Sequence, residues 1–260
     1  MSMKSPQEII AASCNAGCGK ADLSIVEEVV LGFLAGTFVA LGGMLAIMGQ
    51  GDVRLTLPAF AFAGLGPVGI LLVVLTGAEL FTINCVVMPP TCLVGAVPWQ
   101  KMLHNWLWVY LGNLLGALFS ALALAYGTGI INVNAGGPGA EAGAAAAVLA
   151  ESKLTPGWGA LLLRGVWCGW LLGLGVWLAF ATDDLLAKLA GLWLPIVAFM
   201  LLGFQHGIAN IFFIPLGMMN GAAVGVLQFL FGNLLPVTLG NVIGGSGLVG
   251  VLYWWLYAKE

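Results

Sequence analysis

Charge is what this chain has least of. Only 7% of its 260 residues are Asp, Glu, Lys or Arg, against roughly 25% in a soluble domain, while 61% are hydrophobic against about 45–50%. That shortage excludes a water-soluble globule and leaves a polytopic membrane protein. The net charge is −3 with no basic run, which excludes a nucleic-acid surface and a polybasic lipid anchor. Histidine is also scarce: His104 and His206 are the whole supply. A metal-dependent intramembrane protease needs a His-Glu-x-x-His helix or an equivalent ligand set, and two separated histidines do not make one. Cys14 and Cys18 form C-x3-C, but no His or second Cys pair lies near them, so ordinary thiols are expected, with no metal and no cofactor. Ser120 and Ser246 stand in apolar runs without a charged partner near in sequence, which argues against a serine nucleophile. No catalytic residue is expected, and the chain reads as other than an enzyme. Basic n-region, h-region and cleavage site are all missing at the start. Residues 1–28, with Lys4, Glu8, Lys20, Asp22, Glu27 and Glu28, read instead as a cytoplasmic amphipathic segment.

What the chain has is long apolar runs. About 20 apolar residues cross the hydrocarbon core as a helix, and on that rule six spans are expected, near 29–49, 56–80, 103–126, 158–181, 190–211 and 227–257. Residues 29–257 thus read as one transmembrane domain. The second and fifth spans carry polar residues. "GAELFTINCVVMPP" places Glu79, Thr82 and Asn84 before Pro89 and Pro90, where the helix is expected to break. "GFQHGIANIFFIP" places Gln205, His206 and Asn210 before Pro215 and Gly217, with the same expectation. Counting cations beside the spans puts Lys4, Lys20, Lys101, Lys188 and Lys259 on one side and Arg54 and Lys153 on the other, which predicts both termini in the cytoplasm. The connection 127–157, rich in Gly and Ala, reads as a surface loop with a short helix.

The chain also resembles itself. At an offset of 128, "NWLWVYLGNLLG" (105–116) aligns with "NLLPVTLGNVIG" (233–244), with seven identities in twelve positions, among them Asn113 on Asn241. The same offset lays Ala78 on His206 and Thr82 on Asn210. Three spans per half, 29–126 and 158–257, give the halves opposite orientations. This is the inverted-repeat plan in which interrupted helices meet near the midplane and line a path. The Gly-Asn-x-x-Gly motifs around Asn113 and Asn241 suit close helix packing, with the Asn bonding across.

An ionisable group in hydrocarbon is costly, at least ~2.5 kcal/mol for a charge at a helix centre, and so marks a candidate site. His206 is the foremost, because imidazole titrates under ordinary conditions. Glu79 is read as a cap on freed backbone donors at the break, and Arg164 as a side chain that snorkels or pairs with a carboxylate.

Taken together, "GAELFT" (77–82), "NWLWVYLGNLLGAL" (105–118), "FQHGIANIFFIPLG" (204–217) and "NLLPVTLGNVIGG" (233–245) resemble the formate/nitrite transporter family over about residues 5 to 257. The resemblance implies a six-helix, aquaporin-like fold, a homopentamer in the cell (inner or plasma) membrane, and one pore per protomer for formate-class anions and protons. It places the central histidine at His206, its polar partner at Thr82, the motif's amide at Asn210 and an anion-attracting lysine at Lys153. Apolar constrictions fall on Leu80 and Phe81 toward the cytoplasm, and on Ile70 and Phe199 toward the outside. Two departures bear on substrate choice: Gly169 stands where formate channels have Asn, and Gly66 stands where some relatives have an aromatic, an exchange expected to widen the outer constriction.

Lys153 would concentrate the anion at a low-dielectric mouth, and the constrictions would oppose its charge through desolvation. Protonation, from solvent or through the His206–Thr82 network, lowers that barrier. Formate ranks first, ahead of nitrite, hydrosulfide and lactate. An aquaporin-like neutral-solute channel is the rival of a different class, but its paired Asn-Pro-Ala motifs are absent.

Overall fold

The computed structural model describes residues 3–51 and 58–258; Arg54 and Lys259, used above to orient the chain, lie outside them. All regular structure among the described residues is helical. Helix α1 (Pro6–Ala21) opens on a capping box: Ser5 Oγ accepts from the Glu8 N–H, and the Glu8 carboxylate accepts from the Ser5 N–H. Its Ile9, Ile10, Ser13 and Gly17 are buried, and Gly17 lies where a Cβ would collide with Thr91. Helix α1 thus packs on the helical body and brings Lys20 to it.

Among the described residues, four helices are long and apolar enough to cross a membrane: α2 (Ile25–Gly51), α6 (Trp99–Tyr126), α8 (Trp158–Phe180) and α11 (Gln228–Tyr257). Short α3 (Pro58–Leu65) and α4 (Val68–Thr76) lead into α5 (Phe81–Leu93), and Phe62–Thr76 with Phe81–Leu93 forms a pair bent by 48° at the break, the geometry of a broken span or a re-entrant loop. The expected span at 190–211 is divided between two shorter apolar helices, α9 (Leu185–Leu201) and α10 (Gly207–Met219). Between α6 and α8, the expected loop with a short helix is mostly α7 (Gly137–Ser152). It buries Ala142, Ala146 and Ala150 and seats Gly217 of α10 against the Ala146 carbonyl.

Helix α6 explains the packing from its sequence. Met102, Asn105, Val109, Gly112, Asn113 and Gly116 recur at three- and four-residue steps and are buried, while Leu103, Leu107, Leu115 and Phe119 face outward. Gly112 and Gly116 let α2 approach so closely that a Cβ on Gly116 would collide with the Phe33 carbonyl. On α11, Gly240 and Gly244 do the same against Leu162 and Val166 of α8. The Gly-Asn-x-x-Gly motifs therefore work as helix-packing surfaces.

Both breaks fall earlier than the prolines suggest. Chain α4 ends at Gly77, whose φ of 74° is the left-handed conformation that favours glycine, and Leu80 is extended before α5 begins. Pro89 and Pro90 lie inside α5. Pro89 cannot donate to the Cys85 carbonyl, and Ser246 Oγ of α11 donates to it instead at 2.7 Å. Pro90 likewise leaves the Val86 carbonyl without its helical donor, and that oxygen faces Gly250. In the other half the break lies at residues 202–206, around Gly203 with φ 68°, and Pro215 is carried within α10.

Candidate functional site

The breaks make the site. His206 is the N-cap of α10: extended itself, it accepts the Ala209 N–H at its Nδ1, 3.3 Å away. Because Nδ1 accepts, the ring proton of the neutral imidazole belongs on Nε2, which lies 3.0 Å from Thr82 Oγ1 in the first turn of α5. His206 therefore donates to Thr82, and the Thr82 hydroxyl proton is left to point elsewhere. Both side chains are buried, at 4% and 2% exposure.

Asparagines hold the two breaks in matching ways. Asn113 Nδ2 donates to the carbonyls of Gly32 and Glu79, and its Oδ1 accepts the Phe81 N–H. Asn241 Nδ2 donates to the carbonyls of Gly165 and Gln205, and its Oδ1 accepts the Gly207 N–H. Two further clusters match as well. Lys20 Nζ and Asn84 Nδ2 donate to the Glu79 carboxylate, each at 2.7 Å; Asn84 also donates to Asn105, which donates to the Lys20 carbonyl. Lys153 Nζ, at 3.4 Å, and Asn210 Nδ2, at 2.9 Å, donate to Gln205 Oε1; Asn210 also donates to Asn233, which donates to the Lys153 carbonyl. The counterpart of Asn210 is therefore Asn84, and that of His206 is Leu80. The offset that pairs Asn113 with Asn241 puts Thr82 opposite Asn210, two residues from the register the hydrogen bonds keep.

Two cavities share no lining residue. The first, about 330 Å³, has Lys153, Arg164, Gln205 and His206 among apolar walls that include Ile70 and Phe199. Lys153 Nζ lies 4.8 Å from the centroid of the Phe213 ring, and the rings of Phe199 and His206 are 6.4 Å apart. The second, about 250 Å³, has Lys20, Glu79 and Lys188 beside Val73, Val74 and Ile83. Helix α4 links them, with Ile70 in the wall of one and Val73 in the wall of the other.

The structure thus brings His206, Lys153, Ile70 and Phe199 to the first cavity, with Thr82 and Asn210, which line neither cavity, hydrogen-bonded to its His206 and Gln205. Leu80 is fully buried and lines neither cavity. Phe81 does not line them either: its ring stands edge-on to Trp106 and Tyr110, 5.7 and 4.9 Å away. Glu79 accepts from a lysine and an amide side chain rather than capping backbone donors. Arg164 has no carboxylate partner among the described residues and lines the first cavity, away from Glu79. The two departures act otherwise than expected. Met200 fills the space that a Cβ on Gly66 would take, so that glycine does not by itself widen the path. Gly169 packs α8 against the Asn241 backbone of α11 and is absent from both cavity walls. Sequence reasoning missed Lys20 and Gln205 as members of a pair of matched clusters. The identities of Asn105 with Asn233 were the signal that could have found them.

Residues 7–255 match the formate/nitrite transporter family. A probable formate transporter of Methanothermobacter thermautotrophicus is 40% identical over all of this chain and 99% of its own. Among solved structures, an FNT family ion channel has a TM-score of 0.85 at 25% identity, covering 95% of this chain and 98% of that one. A pentameric formate channel with formate bound has a TM-score of 0.76 at 26% identity, covering 90% and 98%. The chain belongs to the formate/nitrite transporter family, a family of transporters and channels and not of enzymes.

Proposed function

We propose that the chain conducts small monovalent weak-acid anions, formate first among them, and that each anion crosses with a proton. The observation that carries this reading is the first cavity, where a lysine, an arginine and a neutral histidine stand in otherwise largely apolar walls. Lys153 raises the anion concentration at this mouth. In the wall of the same cavity, Ile70 and Phe199 offer no polar group to replace the water a carboxylate must shed, so the neutral acid crosses far more readily than the anion. A carboxylic acid with a pKa near ~4 is about one-thousandth neutral at pH 7, and a proton taken up in the vestibule restores that form as it is drained.

His206 is a poor source of that proton. Placing a second proton on Nδ1 would set two donors against each other, since Nδ1 accepts the Ala209 N–H that caps α10. His206 instead fixes Thr82 by donating to its oxygen, which frees the Thr82 hydroxyl to donate to a passing acid. The proton then comes from solvent. Nitrite fits the same chemistry, and the family's description includes it.

Six spans in two inverted halves, an aquaporin-like arrangement, cytoplasmic termini, placement in the cell membrane and a homopentamer complete the proposal. The matched hydrogen bonds of Asn113 and Asn241 support the repeat, and the likeness to a solved pentameric formate channel supports the assembly. The test is His206→Asn in proteoliposomes supplied with labelled formate across a pH series. Asparagine caps a helix well, so the fold should survive while flux falls at least about tenfold. Unchanged flux with unchanged pH dependence would remove His206 from the mechanism.

A further inference from the structure

The two buried clusters at the breaks differ in one charge. Each has a lysine, an acceptor side chain just before the helix, an asparagine inside it and a second asparagine that returns to the lysine carbonyl. In one the acceptor is Glu79, and its carboxylate is ion-paired with Lys20 at 2.7 Å. In the other it is Gln205, a neutral amide whose oxygen is 3.4 Å from Lys153 Nζ. Lys20 is thereby neutralised where it stands, and Lys153 is not. Arg164 adds to the difference. It lines the same cavity as Lys153, and among the described residues no carboxylate lines that cavity or pairs with it. The second cavity sets Glu79 against Lys20 and Lys188. Asp52 and Arg54, of opposite sign, lie outside the described residues.

We propose that Gln205 sets the polarity of the pore: by holding an amide where the other half holds a carboxylate, it leaves Lys153, with Arg164 as a second cation, free to bind a small carboxylate. The anion is then held more tightly at the Lys153 mouth than at the Lys20 mouth. This rests on the proposed anion-conducting function. It also gives Arg164 a part, as a residue that reaches the anion in the vestibule and not only a snorkelling side chain. A purely structural role for Gln205 makes a different prediction. Its Oε1 acts only as an acceptor, for Lys153 and Asn210, and a glutamate in its place accepts both bonds equally well. Gln205→Glu therefore preserves the geometry and changes the charge.

The experiment measures labelled formate entry into right-side-out and into everted membrane vesicles, at equal pH and no membrane potential. In the wild type the apparent KM should be lower from one face than from the other. Microscopic reversibility keeps Vmax/KM equal for the two directions, so Vmax falls with KM on the tighter face. Gln205→Glu should raise KM on that face at least about fivefold, the effect of one charge at ~4 Å even in water, and leave the other face unchanged. Arg164→Gln should raise KM on the same face. Should either variant fail to reach the membrane, the wild type alone decides: KM on the tighter face should climb more steeply with ionic strength. Equal KM and equal salt dependence from both faces, or a Gln205→Glu protein with wild-type KM, would overturn the inference while leaving conduction intact. Absence of any formate flux in the wild type would overturn the proposed function itself, before the variants are compared.

Discussion

Asn241 makes at Gly165, Gln205 and Gly207 the same three hydrogen bonds that Asn113 makes at Gly32, Glu79 and Phe81. Each ties a long helix, a chain break and the first turn of the helix after the break into one buried joint. The bonds are of two kinds. Aspartate at either place would keep the acceptor and lose both donors, stranding the buried Glu79 or Gln205 carbonyl, while the Gly32 and Gly165 carbonyls, inside α2 and α8, keep their helical N–H donors. A stranded buried group costs about 1–3 kcal/mol. Asn113→Asp and Asn241→Asp should each lower the melting temperature in detergent, and by similar amounts. A variant as stable as the wild type would show that the joint is not under load.

Thr82 should matter through its oxygen and not through its shape. Thr82→Val keeps the β-branch but leaves the His206 Nε2–H without an acceptor. Formate flux should fall about tenfold or more, the effect of ~1.4 kcal/mol, while Thr82→Ser should retain most of it. Equal flux in the valine and serine variants would remove the hydroxyl from the account.

Two glycines separate packing from pore lining. A methyl group on Gly169 meets the backbone of Asn241, which cannot step aside, whereas one on Gly66 meets the flexible end of Met200. Gly169→Ala should therefore destabilise by about 1–3 kcal/mol, with Gly66→Ala close to neutral in stability. Thermal unfolding of the purified proteins, side by side, checks the order; the reverse order would contradict it.

How much of this was legible beforehand depended on whether the cause was local. The apolar runs announced α2, α6, α8 and α11, because a helix in hydrocarbon needs only length and hydrophobicity. The joint residues Asn113 and Asn241 were visible as identities in a direct comparison of the halves. The register at the breaks was not. The second half has two more residues between Gln205 and Asn241 than the first has between Glu79 and Asn113, and an ungapped comparison slides past them. The break positions were misjudged for a different reason. Pro89 stays in a helix because Ser246, far along the chain, satisfies the carbonyl it frees, and no local rule contains that partner. Arg164 was read as snorkelling or paired, and only its place in a cavity wall gives it another role.

The central claim is that formate crosses with a proton, and one measurement addresses it directly. Purified protein in vesicles loaded with a pH dye should acidify the lumen as labelled formate enters, one proton per formate, with flux falling about tenfold for each unit rise in external pH over the range where formate is mostly ionised. Glycerol, tested by vesicle shrinkage and swelling, should not follow. Formate entry without lumenal acidification, or at a rate independent of pH, would contradict the account.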